Sequence, residues 1–369
     1  MDFFATAAKG TEPAVRDELR EHRFRGVRAD RGGVHFQGAI DEGFRACLEL
    51  RTASRVLLEI GAFEARGGDA LYEGVRALDW TIALSPKRTL AVRASCRSSA
   101  LTHSQFIAQK TKDAIVDQLR DRQGARPSVD LEDPDVVVSV HLVKDAATIY
   151  LDLAGEPLHR RGYRAQAGEA PIKESLAAAM LRLGGWDRER PLVDPMCGSG
   201  TIAIEAALWA RGVAPGLSRA RFGFERWASH DDAAAARMVE LRDRARARVR
   251  RDGPRVMASD VDPRAVAATL ANARNAGVTV ETSVRPLRAL APVAPPAHIV
   301  TNPPYGERLP ADPALLRDLG ATFLGLHGHR VTMLAGSPAL LHAVPCRSEK
   351  ELAVWNGAIE CRLATFEIP

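Results

Sequence analysis

The sequence contains few cysteines, and they are scattered along the chain. No two of them lie close together, and no spacing of cysteine and histidine matches a zinc site. We therefore expect free thiols, no disulfide framework and no bound metal. The five cysteines are Cys47, Cys96, Cys197, Cys346 and Cys361.

Long apolar runs are also absent. No stretch approaches the ~20 consecutive apolar residues that a membrane-spanning helix needs. The first ten residues, MDFFATAAKG, have neither the basic start nor the apolar core of a secretory signal peptide. We therefore expect a cytoplasmic protein with no membrane partner.

Neither sign of charge dominates the chain. Its 369 residues include 51 lysines and arginines against 46 acidic residues, which gives a net charge of +5 and a pI of about 9.1. This small excess is compatible with an anionic partner such as nucleic acid but does not establish one. Apolar residues make up 46% of the chain, which at this length suffices for two or three globular domains.

The first 160 residues mix short strands with helices. Segments rich in β-branched residues at 136–140 and 147–153 predict strands, and the glycine pair at 32–33 predicts a turn that enters a strand. Apolar residues at helical spacing predict a helix over 111–122. This mixture indicates small α+β modules.

The second half of the chain has a different pattern. Residues 155–168, rich in glycine and arginine, indicate either a linker or an ordered basic strap, and Lys173–Leu183 is a strong helix former. From Pro191 onward predicted strands, including one at 298–300, alternate with helices, as in an open parallel sheet. Arginines at every second position from Arg242 to Arg250 would wrap around a helix. We interpret them as a solvated surface, with RNA contact as the less favoured alternative.

A strand that ends in an acid, a glycine-containing turn and a helix form the first motif with chemical meaning. Glycines let a ligand approach the backbone, and the first turn of a helix offers free N–H groups. The motif lacks the lysine of a Walker loop and the full G-x-G-x-x-G pattern of dinucleotide sites. An acid that meets an ammonium, with N–H groups that meet a carboxylate, fits S-adenosylmethionine. The alternative is a plain strand–helix turn with a capping acid. The residues are Asp194, Pro195, Met196, Cys197, Gly198, Ser199, Gly200 and Thr201.

A second acid, Asp260, ends the next predicted strand. An acid at this position can accept hydrogen bonds from both ribose hydroxyls of a bound nucleoside. Asp262 precedes Pro263 and is expected to be the N-cap of a helix. Asp260 lies 60 residues after Gly200, whereas such an acid usually follows the glycine turn by ~20 residues. We therefore expect an insertion at about 210–253.

The third motif is TNPPYGERL at 301–309. Its two prolines fix two φ angles and remove two backbone donors. The side-chain oxygen of Asn302 and a nearby carbonyl, held rigid by Pro303 and Pro304, can accept both hydrogens of an exocyclic amine and direct its lone pair at a methyl group on a sulfonium. Tyr305 offers a face on which an extruded base can stack. The alternative is a Pro-Pro turn after an edge strand.

Two further segments carry weaker indications. Pro171, within the segment 170–174, can lie against the cofactor from the preceding helix, or the segment can be a plain helix cap. His103, Ser104 and Gln105 lie near two lysines and could touch phosphate, although solvated surface is the favoured interpretation.

In this order the motifs resemble class I S-adenosylmethionine methyltransferases that act on amino groups of bases. The resemblance is closest to bacterial 23S rRNA guanine-N2 methyltransferases of the RlmL type, and it extends along nearly the whole chain. It rests on DPMCGSGTIAIEAA at 194–207, APGL at 214–217, FGFERW at 222–227, TNPPYGERL at 301–309, GGVHF at 32–36, KDAIVD at 112–117 and LHRRGYR at 158–164.

The resemblance implies an α/β fold class, with a Rossmann-like class I methyltransferase domain preceded by α+β ferredoxin-like and THUMP modules. The implied boundaries are 1–50 for the ferredoxin-like segment, 45–155 for the RNA-binding THUMP domain, 156–170 for a linker and 171–369 for the methyltransferase domain. The insertion at about 210–253 becomes a family feature.

The resemblance also implies roles for the motifs. Asp194 to Thr201 would form the methionine-side loop of the cofactor site, and Asp260 would bind the ribose. Asn302, Pro303, Pro304 and Tyr305 would form the target-amine site. The partner would be 23S rRNA, free or in a precursor of the large subunit, and the affinity of a domain that grips RNA shape and backbone should fall with salt.

The sequence departs from the family pattern at two points. Many members carry a second, C-terminal methyltransferase that makes 7-methylguanosine; because this chain ends at Pro369, we expect that activity to be absent or on another polypeptide. The third strand of the family often ends in an acid that contacts the adenine amine, whereas Val284-Arg285-Pro286 contains none. Either a backbone acceptor substitutes for it or cofactor affinity is weak.

The leading hypothesis is methyl transfer to the N2 amine of a guanosine in 23S rRNA. A close alternative keeps this chemistry and changes the substrate to tRNA, since THUMP domains also occur in tRNA enzymes. A DNA adenine-N6 methyltransferase shares the Asn-Pro-Pro-Tyr motif but should carry a DNA target-recognition domain. The missing third acid motivates a different class, an RNA-binding assembly factor without turnover, and the intact motifs argue against it.

Overall fold

The computed structural model describes residues 1–164, 172–305 and 312–369. Within them the chain forms two β-sheets that are packed against helices. The strands of the first sheet are β1 (Asp2–Thr6), β2 (Arg25–Asp30), β3 (Gly33–Gln37), β4 (Arg55–Glu64), β5 (Thr89–Arg97), β6 (Ser128–Val129), β7 (Val136–Val143) and β8 (Ala146–Asp152). Its helices are α1 (Glu12–Glu21), α2 (Ile40–Glu49), α3 (Gly68–Arg76) and α4 (Ser104–Gln123).

The helices cover one face of this sheet. Side chains alternate between the two faces of a strand, so Phe3 and Ala5 of β1 are fully buried in the helix-covered core. Phe4, between them, belongs to a separate cluster with Leu57 and Tyr150. The opposite face of the sheet therefore carries a small aromatic and aliphatic cluster of its own.

β4 joins the two N-terminal modules into one sheet. It pairs with β1, where Phe3 lies opposite Leu58, and with β8, where Leu58 lies opposite Leu151. The strand order is β2-β3-β1-β4-β8-β7-β5-β6. The modules expected from the sequence thus form one continuous sheet, because β4, a strand of ten residues, pairs with a strand of each module.

The second sheet has the order of a doubly wound fold with an added hairpin. The order is β11-β10-β9-β12-β13-β15-β14. Its strands are β9 (Leu192–Asp194), β10 (Val256–Asp260), β11 (Glu281–Val284), β12 (His298–Thr301), β13 (Arg330–Ala335), β14 (Lys350–Asn356) and β15 (Ile359–Glu367). The helices of this half are α5 (Glu174–Leu183), α6 (Thr201–Ala210), α7 (Asp232–Ala247), α8 (Pro263–Asn275), α9 (Pro313–Leu324) and α10 (Pro338–Ala343).

The prediction of a wholly parallel sheet is wrong at one edge. β9 to β13 pair in parallel, but β15 is antiparallel to both β13 and β14. Only two residues separate Asn356 from Ile359, and Gly357 takes a left-handed φ of 63° in this turn. So short a connection can join only antiparallel strands.

Most of the individual elements follow the sequence patterns. The helix expected over 111–122 lies within α4, and the strands expected at 136–140, 147–153 and 298–300 correspond to β7, β8 and β12. The helix expected over 173–183 is α5. α4 begins at Ser104, seven residues before the expected start at 111, whereas β7 and β12 begin at the expected residues. The ends of helices and strands depend on tertiary contacts.

The predicted insertion between α6 and β10 packs on the first sheet. It contains two short 3-10 helices, Pro215–Ser218 and Gly223–Arg226, followed by α7. Phe224 stacks on Phe44 of α2 with ring centroids 3.9 Å apart. Seven of its side chains are buried in the N-terminal core. They are Ala214, Phe222, Phe224, Trp227, Ala234, Met238 and Ala245.

The arginine-rich helix is solvated on one side only. The expectation of a solvated surface is confirmed for Arg244 and Arg246, which are exposed and paired with acids of the same helix. It is wrong for Arg242, whose guanidinium is 12% exposed and contacts Glu225 at 3.5 Å. The apolar face of α7 packs against the N-terminal core, and Arg242 is partly buried because it lies beside this face.

Residues 155–164 form an ordered basic strap, which was one of the two alternatives; residues 165–168 lie outside the described residues. Arg161 is buried, donates to the Arg51 carbonyl at 2.5 Å and lies 3.6 Å from Glu205 of α6. The Tyr163 hydroxyl donates to the same carboxylate at 3.2 Å. The strap therefore ties the first sheet to a helix of the second.

The expected free thiols are confirmed at all five cysteines. The described part of the chain contains no helix long and apolar enough to span a membrane. It also contains no group of three or more histidine, cysteine or acidic side chains that could hold a metal ion.

Candidate active site

Three neighbouring strands end at the same edge of the second sheet. β9 lies between β10 and β12, and all three are parallel. Asp194 lies opposite Ala258, two residues before Asp260, and β12 runs into Asn302. The carboxyl ends of such strands form the usual ligand crevice of an open α/β sheet. The sheet therefore brings the three predicted motifs together.

The loop from Asp194 to Thr201 is a tight turn that places the N-terminus of α6 at this edge. The Cys197 N–H donates to the Ser259 carbonyl at 3.0 Å, and the Gly200 N–H donates to the Cys197 carbonyl at 2.8 Å. Gly198 has a left-handed φ of 52°, and a β-carbon there would meet no described atom within 4 Å. The turn thus leaves open space beside its backbone, as a ligand loop requires.

Two side chains of α8, neither of them predicted from the sequence, hold this loop. The Thr269 hydroxyl donates to the Gly198 carbonyl at 3.0 Å, and the Asn272 amide donates to the Ser199 carbonyl at 3.0 Å. Both residues are fully buried. Polar residues on the apolar face of a predicted helix were the only signal that could have identified them.

Asp194 is buried at the end of β9. Burial raises the pKa of its carboxyl group to about 8, the hydrogen bond from the Met196 N–H opposes the rise, and the negative charge of Asp260 adds to it. The carboxyl group therefore holds its proton near neutral pH until a positive group approaches. An ammonium at this position would favour the ionised form.

Asp260 is held by backbone donors on both of its oxygens. The Gly198 N–H donates to one oxygen at 2.9 Å and the Asp262 N–H donates to the other at 3.0 Å. Each carboxylate oxygen can accept a second hydrogen bond. Asp262 is the expected N-cap of α8 and accepts from the Arg264 N–H at 2.8 Å. The orientation of Asp260 is therefore fixed with acceptor capacity to spare.

Asn302 follows β12 with an unused acceptor. Its side-chain oxygen is buried and has no hydrogen-bond partner among the described residues. Pro303 is buried and Pro304 half-buried directly after it. A buried acceptor without a partner is costly unless a ligand supplies the donor. The Asn302 oxygen can therefore accept an N–H group from a ligand at this edge; the Thr301 hydroxyl beside it also lacks a partner among the described residues.

Tyr305 is more enclosed than the sequence suggested. Its hydroxyl accepts a hydrogen bond from the Asn356 amide at 2.9 Å, and its ring lies against Gly336, where a β-carbon would come within 2.2 Å of the ring. Burial raises the pKa of Tyr305 well above its usual value, so the hydroxyl stays neutral. The ring is half-buried and keeps a partly exposed surface.

The remaining predicted residues fall into two groups. Pro195, Met196, Cys197, Ser199 and Thr201 all lie in the loop after β9 and at the start of α6. Burial raises the pKa of the Cys197 thiol to about 12, which makes it inert. The candidate residue Pro171, like Gly306 to Leu309 of the third motif, lies outside the described residues.

The weaker candidates lie elsewhere or play local roles. Glu174 forms an ion pair of 3.0 Å with Arg164, which also donates to the Thr201 hydroxyl at 3.1 Å. The strap therefore contacts the first turn of α6. His103 caps α4, where its ring nitrogen accepts from the Phe106 N–H at 3.4 Å, and it is exposed as expected.

The third strand ends without an acid, as the sequence indicated. β11 ends at Val284, which is 54% exposed, and the Arg285 N–H donates to the Asp260 carbonyl at 3.0 Å. The backbone after β11 therefore runs beside the ribose-binding candidate. An acceptor for an adenine amine would have to come from this backbone.

Three family models match successive parts of the chain. The model of the RMKL-like methyltransferase domain matches residues 161–364, that of the THUMP domain matches 66–152, and that of the RlmL ferredoxin-like domain matches 2–57. The α/β fold class expected from the sequence, with a Rossmann-like methyltransferase domain after ferredoxin-like and THUMP domains, is confirmed.

Similar proteins cover the whole chain. The ribosomal RNA large subunit methyltransferase K/L of Methylococcus capsulatus is 43% identical over 379 residues, which is 100% of this chain and 51% of that protein. The chain spans about half the length of the curated relatives it matches.

Two crystal structures are similar over nearly their full length. SMU.472 complexed with SAH superposes with a TM-score of 0.90 at 32% identity, covering 100% of this chain and 98% of the other. A protein of Listeria monocytogenes described as a predicted N6-adenine-specific DNA methylase superposes with a TM-score of 0.89 at 29% identity, covering 100% and 96%. Since the methyltransferase model matches more than half of the chain and the three motifs meet at one sheet edge, the chain belongs to the family of RMKL-like methyltransferase domains.

Proposed function

We propose that this protein transfers a methyl group from S-adenosylmethionine to the N2 amine of a guanosine in 23S rRNA. The observation that carries the proposal is the buried Asn302 oxygen, which has no partner among the described residues and lies at the edge where Asp194 and Asp260 also end their strands. The names of the relatives support rRNA as the substrate and an S-adenosyl compound as the ligand.

The loop and its two acids fit this cofactor. Asp194 would take the ammonium, Asp260 the ribose hydroxyls, and the free N–H groups at the start of α6 the carboxylate. Gly198 leaves space for the ligand beside the backbone. When bound, S-adenosylmethionine supplies a methyl group on a sulfonium, which is an excellent leaving group.

The residues after β12 would orient the substrate amine. The Asn302 oxygen accepts one amine hydrogen, and a backbone carbonyl held by Pro303 and Pro304 accepts the other. Both hydrogen bonds draw the nitrogen lone pair out of conjugation with the base and direct it at the methyl group. The half-exposed ring of Tyr305 packs beside the extruded base. The N–C bond would form as the methyl–sulfur bond breaks, and the sulfur would leave as a neutral thioether. The methylated nitrogen, now positively charged, would lose a proton to water without a strong general base.

The THUMP domain would bring the RNA to this edge. It matches the region between the ferredoxin-like domain and the strap, and the strap contacts α6 through Arg164 and Thr201. RNA contacts to shape and backbone position a substrate without reading its sequence. The choice of nucleotide then depends on which base reaches Asn302.

The test is methylation of unmodified 23S rRNA with labelled S-adenosylmethionine, followed by mass spectrometry of the nucleosides. Wild-type protein should produce N2-methylguanosine. Asn302→Ala should lose at least ~100-fold in turnover, the usual effect of removing one preorganised contact to the reacting group, and keep its RNA affinity. The control is Asn275→Ala. In the wild type the Asn275 amide donates to the Tyr163 carbonyl over a distance of 3.2 Å, and this contact lies outside the candidate site.

Each of the other outcomes would support a different substrate or function. Methylation of tRNA alone would replace rRNA as the substrate, and N6-methyladenine in DNA without RNA methylation would support the name of the Listeria relative. RNA binding without turnover in wild-type protein would indicate an assembly factor. Normal turnover in Asn302→Ala would contradict the role of this residue.

A further inference from the structure

A large basic cleft lies between the first sheet, the strap and the insertion. It has a volume of about 700 Å³, and its walls come from β5 and β7, from residues 154–162 and from residues 218–226. Seven arginines and three carboxylates are among its lining side chains. The cleft is distinct from the crevice at the ends of β9, β10 and β12.

Several of these arginines hold the walls together. Arg219 donates to four carbonyls between residues 154 and 160, at 3.0 to 3.4 Å, and so joins the insertion to the strap. Arg226 contacts Asp133 and Asp135, each at 2.6 Å, and joins the insertion to the loop before β7. Most of their donors are occupied by these contacts, although the Arg219 Nε has no partner among the described residues, and both charges remain in the cleft.

Three other arginines keep donors available. The Arg93 guanidinium on β5 makes no hydrogen bond or ion pair with any described residue. The Arg160 side chain is 64% exposed, and among the described residues it pairs with Glu156, four residues earlier in the strap. Arg221 is 60% exposed and lies 3.7 Å from Asp133. One of the three comes from the sheet, one from the strap and one from the insertion.

Arg93 is partly buried beside a second arginine, Arg55. Burial lowers the pKa of this guanidinium, the positive charge of Arg55 lowers it further, and Asp152 offsets part of the effect. Arg55 itself is paired with Asp152 and donates to the Gly155 carbonyl at 2.8 Å. Among the arginines that line the cleft, Arg93 is the one whose guanidinium has no hydrogen-bonding or ion-pair partner among the described residues, so it is free to meet an anion.

We propose that this cleft binds the phosphates of the RNA backbone, with Arg93, Arg160 and Arg221 as the contacting side chains. Planar guanidinium groups match phosphate oxygens in geometry and charge. The proposal rests on the proposed function for the choice of RNA over other polyanions. It assigns one of the three contacting arginines, Arg221, to the insertion, and both Arg160 and Arg221 lie outside the matched THUMP residues.

The strap gives this cleft a direct connection to the candidate active site. Its residues 160–162 line the cleft, and two residues later Arg164 contacts Thr201 at the start of α6. RNA held by Arg160 would therefore lie on the segment that leads to the cofactor loop. A backbone grip at this position can present a nearby nucleotide without contacting its base.

The test compares two triple variants of the full chain. The cleft variant is Arg93→Ala, Arg160→Ala and Arg221→Ala; the control variant is Arg66→Ala, Arg244→Ala and Arg246→Ala, which removes the same charge from exposed sites. Binding to unmodified 23S rRNA and to poly(U) is measured over a series of salt concentrations. Poly(U) has no guanine, so this arm stays informative even if the proposed methylation fails.

We expect the slope of log affinity against log salt to fall by about 2 in the cleft variant, since each phosphate contact to a single strand contributes ~0.7. Affinity for both RNAs should fall roughly 10- to 100-fold at 0.1 M salt, and the control variant should resemble wild type. Replacing the same three arginines by lysine should restore most of the slope, because the charge returns. S-adenosylmethionine affinity should remain unchanged in all variants.

Three results would overturn the proposal. Equal slopes in the cleft and control variants would mean that the cleft does not touch phosphate. A lysine variant as defective as the alanine variant, with lowered thermal stability in both, would mean that the arginines serve only the fold. Binding of poly-glutamate through the same arginines as tightly as RNA would assign the cleft to an acidic protein partner.

Discussion

The side-chain amide of Asn356 donates a hydrogen bond of 2.9 Å to the Tyr305 hydroxyl, 51 residues earlier in the chain. Asn356 ends β14, the edge strand of the second sheet, whereas Tyr305 follows β12 near its centre. Gly336, directly after β13, lets the tyrosine ring lie against the backbone between them. The orientation of the proposed stacking residue is therefore set by the far half of the sheet and not by the Asn-Pro-Pro sequence alone.

This packing predicts that Gly336→Ala will impair methyl transfer. A β-carbon at residue 336 would lie 2.2 Å from the Tyr305 ring, so the ring must move away from its position beside the substrate base. Turnover with 23S rRNA should fall about 10-fold or more, as expected when a positioning contact is misplaced by about 1 Å. The affinity for S-adenosylmethionine, measured by calorimetry, should stay within a factor of two of wild type.

The matched control for this change is Gly67→Ala. Gly67 has an extended backbone conformation that alanine can adopt, and a β-carbon there would meet no described atom within 4 Å. This variant should keep full turnover. An unchanged turnover in Gly336→Ala would show that the ring position does not matter for the reaction.

The raised pKa of the buried Asp194 carboxyl group predicts that a proton is released when the cofactor binds. In the ligand-free protein burial raises the pKa of this carboxyl group to about 8, so it is protonated at pH 6.5. The ammonium of S-adenosylmethionine favours the ionised carboxylate, and binding at pH 6.5 should release up to about one proton. Calorimetry in two buffers of different ionisation enthalpy measures this number.

Asp194→Asn is the control, and it also tests the sign of the pKa shift. The asparagine variant should bind the cofactor without releasing a proton. Because the folded pKa of Asp194 lies above its unfolded value of about 3.9, the protonated group stabilises the wild-type fold fully below about pH 4, and this contribution is lost as the pH rises through about 8. The free energy of unfolding of wild type should therefore fall relative to the variant between these limits. A binding proton count of zero in wild type would contradict the buried, protonated state.

Local patterns were sufficient to predict the motifs and most of the elements. Asp194, Asp260 and Asn302 each follow a short apolar strand, and the parallel arrangement of three such strands brings their ends together. Asp262 before Pro263 gives the N-cap directly from sequence. These features depend on neighbours within a few residues, so the chain itself carries their signal.

Contacts between distant segments were not predictable in this way. The core that receives Phe224 is built by strands and helices more than 70 residues earlier, so the sequence located the insertion but not the sheet it packs on. The sequence predicts that Tyr305 offers a face for stacking. Only the positions of Asn356 and Gly336 in the fold show how its ring is held. The sequence does not distinguish Thr269 from the other residues of α8. Only the fold shows that its hydroxyl bonds the glycine-containing turn.

That contact predicts a large cost for Gly200→Ala. Gly200 has a left-handed φ of 83°, and a β-carbon there would lie 2.6 Å from the methyl carbon of Thr269. Gly277, at the end of α8, has a similar φ of 67° with open space around it. Gly277→Ala should therefore cost only the backbone strain, about 1 kcal/mol in the free energy of unfolding. Gly200→Ala should cost clearly more and should weaken cofactor binding.

Thr269→Ser keeps the hydroxyl that bonds the Gly198 carbonyl and removes the methyl group, so Gly200→Ala should be less damaging in that background. Equal costs at both glycines in urea unfolding would mean that the turn accommodates the added carbon. An absence of relief from the serine would assign the cost to the hydroxyl oxygen and β-carbon of residue 269, which would lie 2.9 and 3.0 Å from the added carbon.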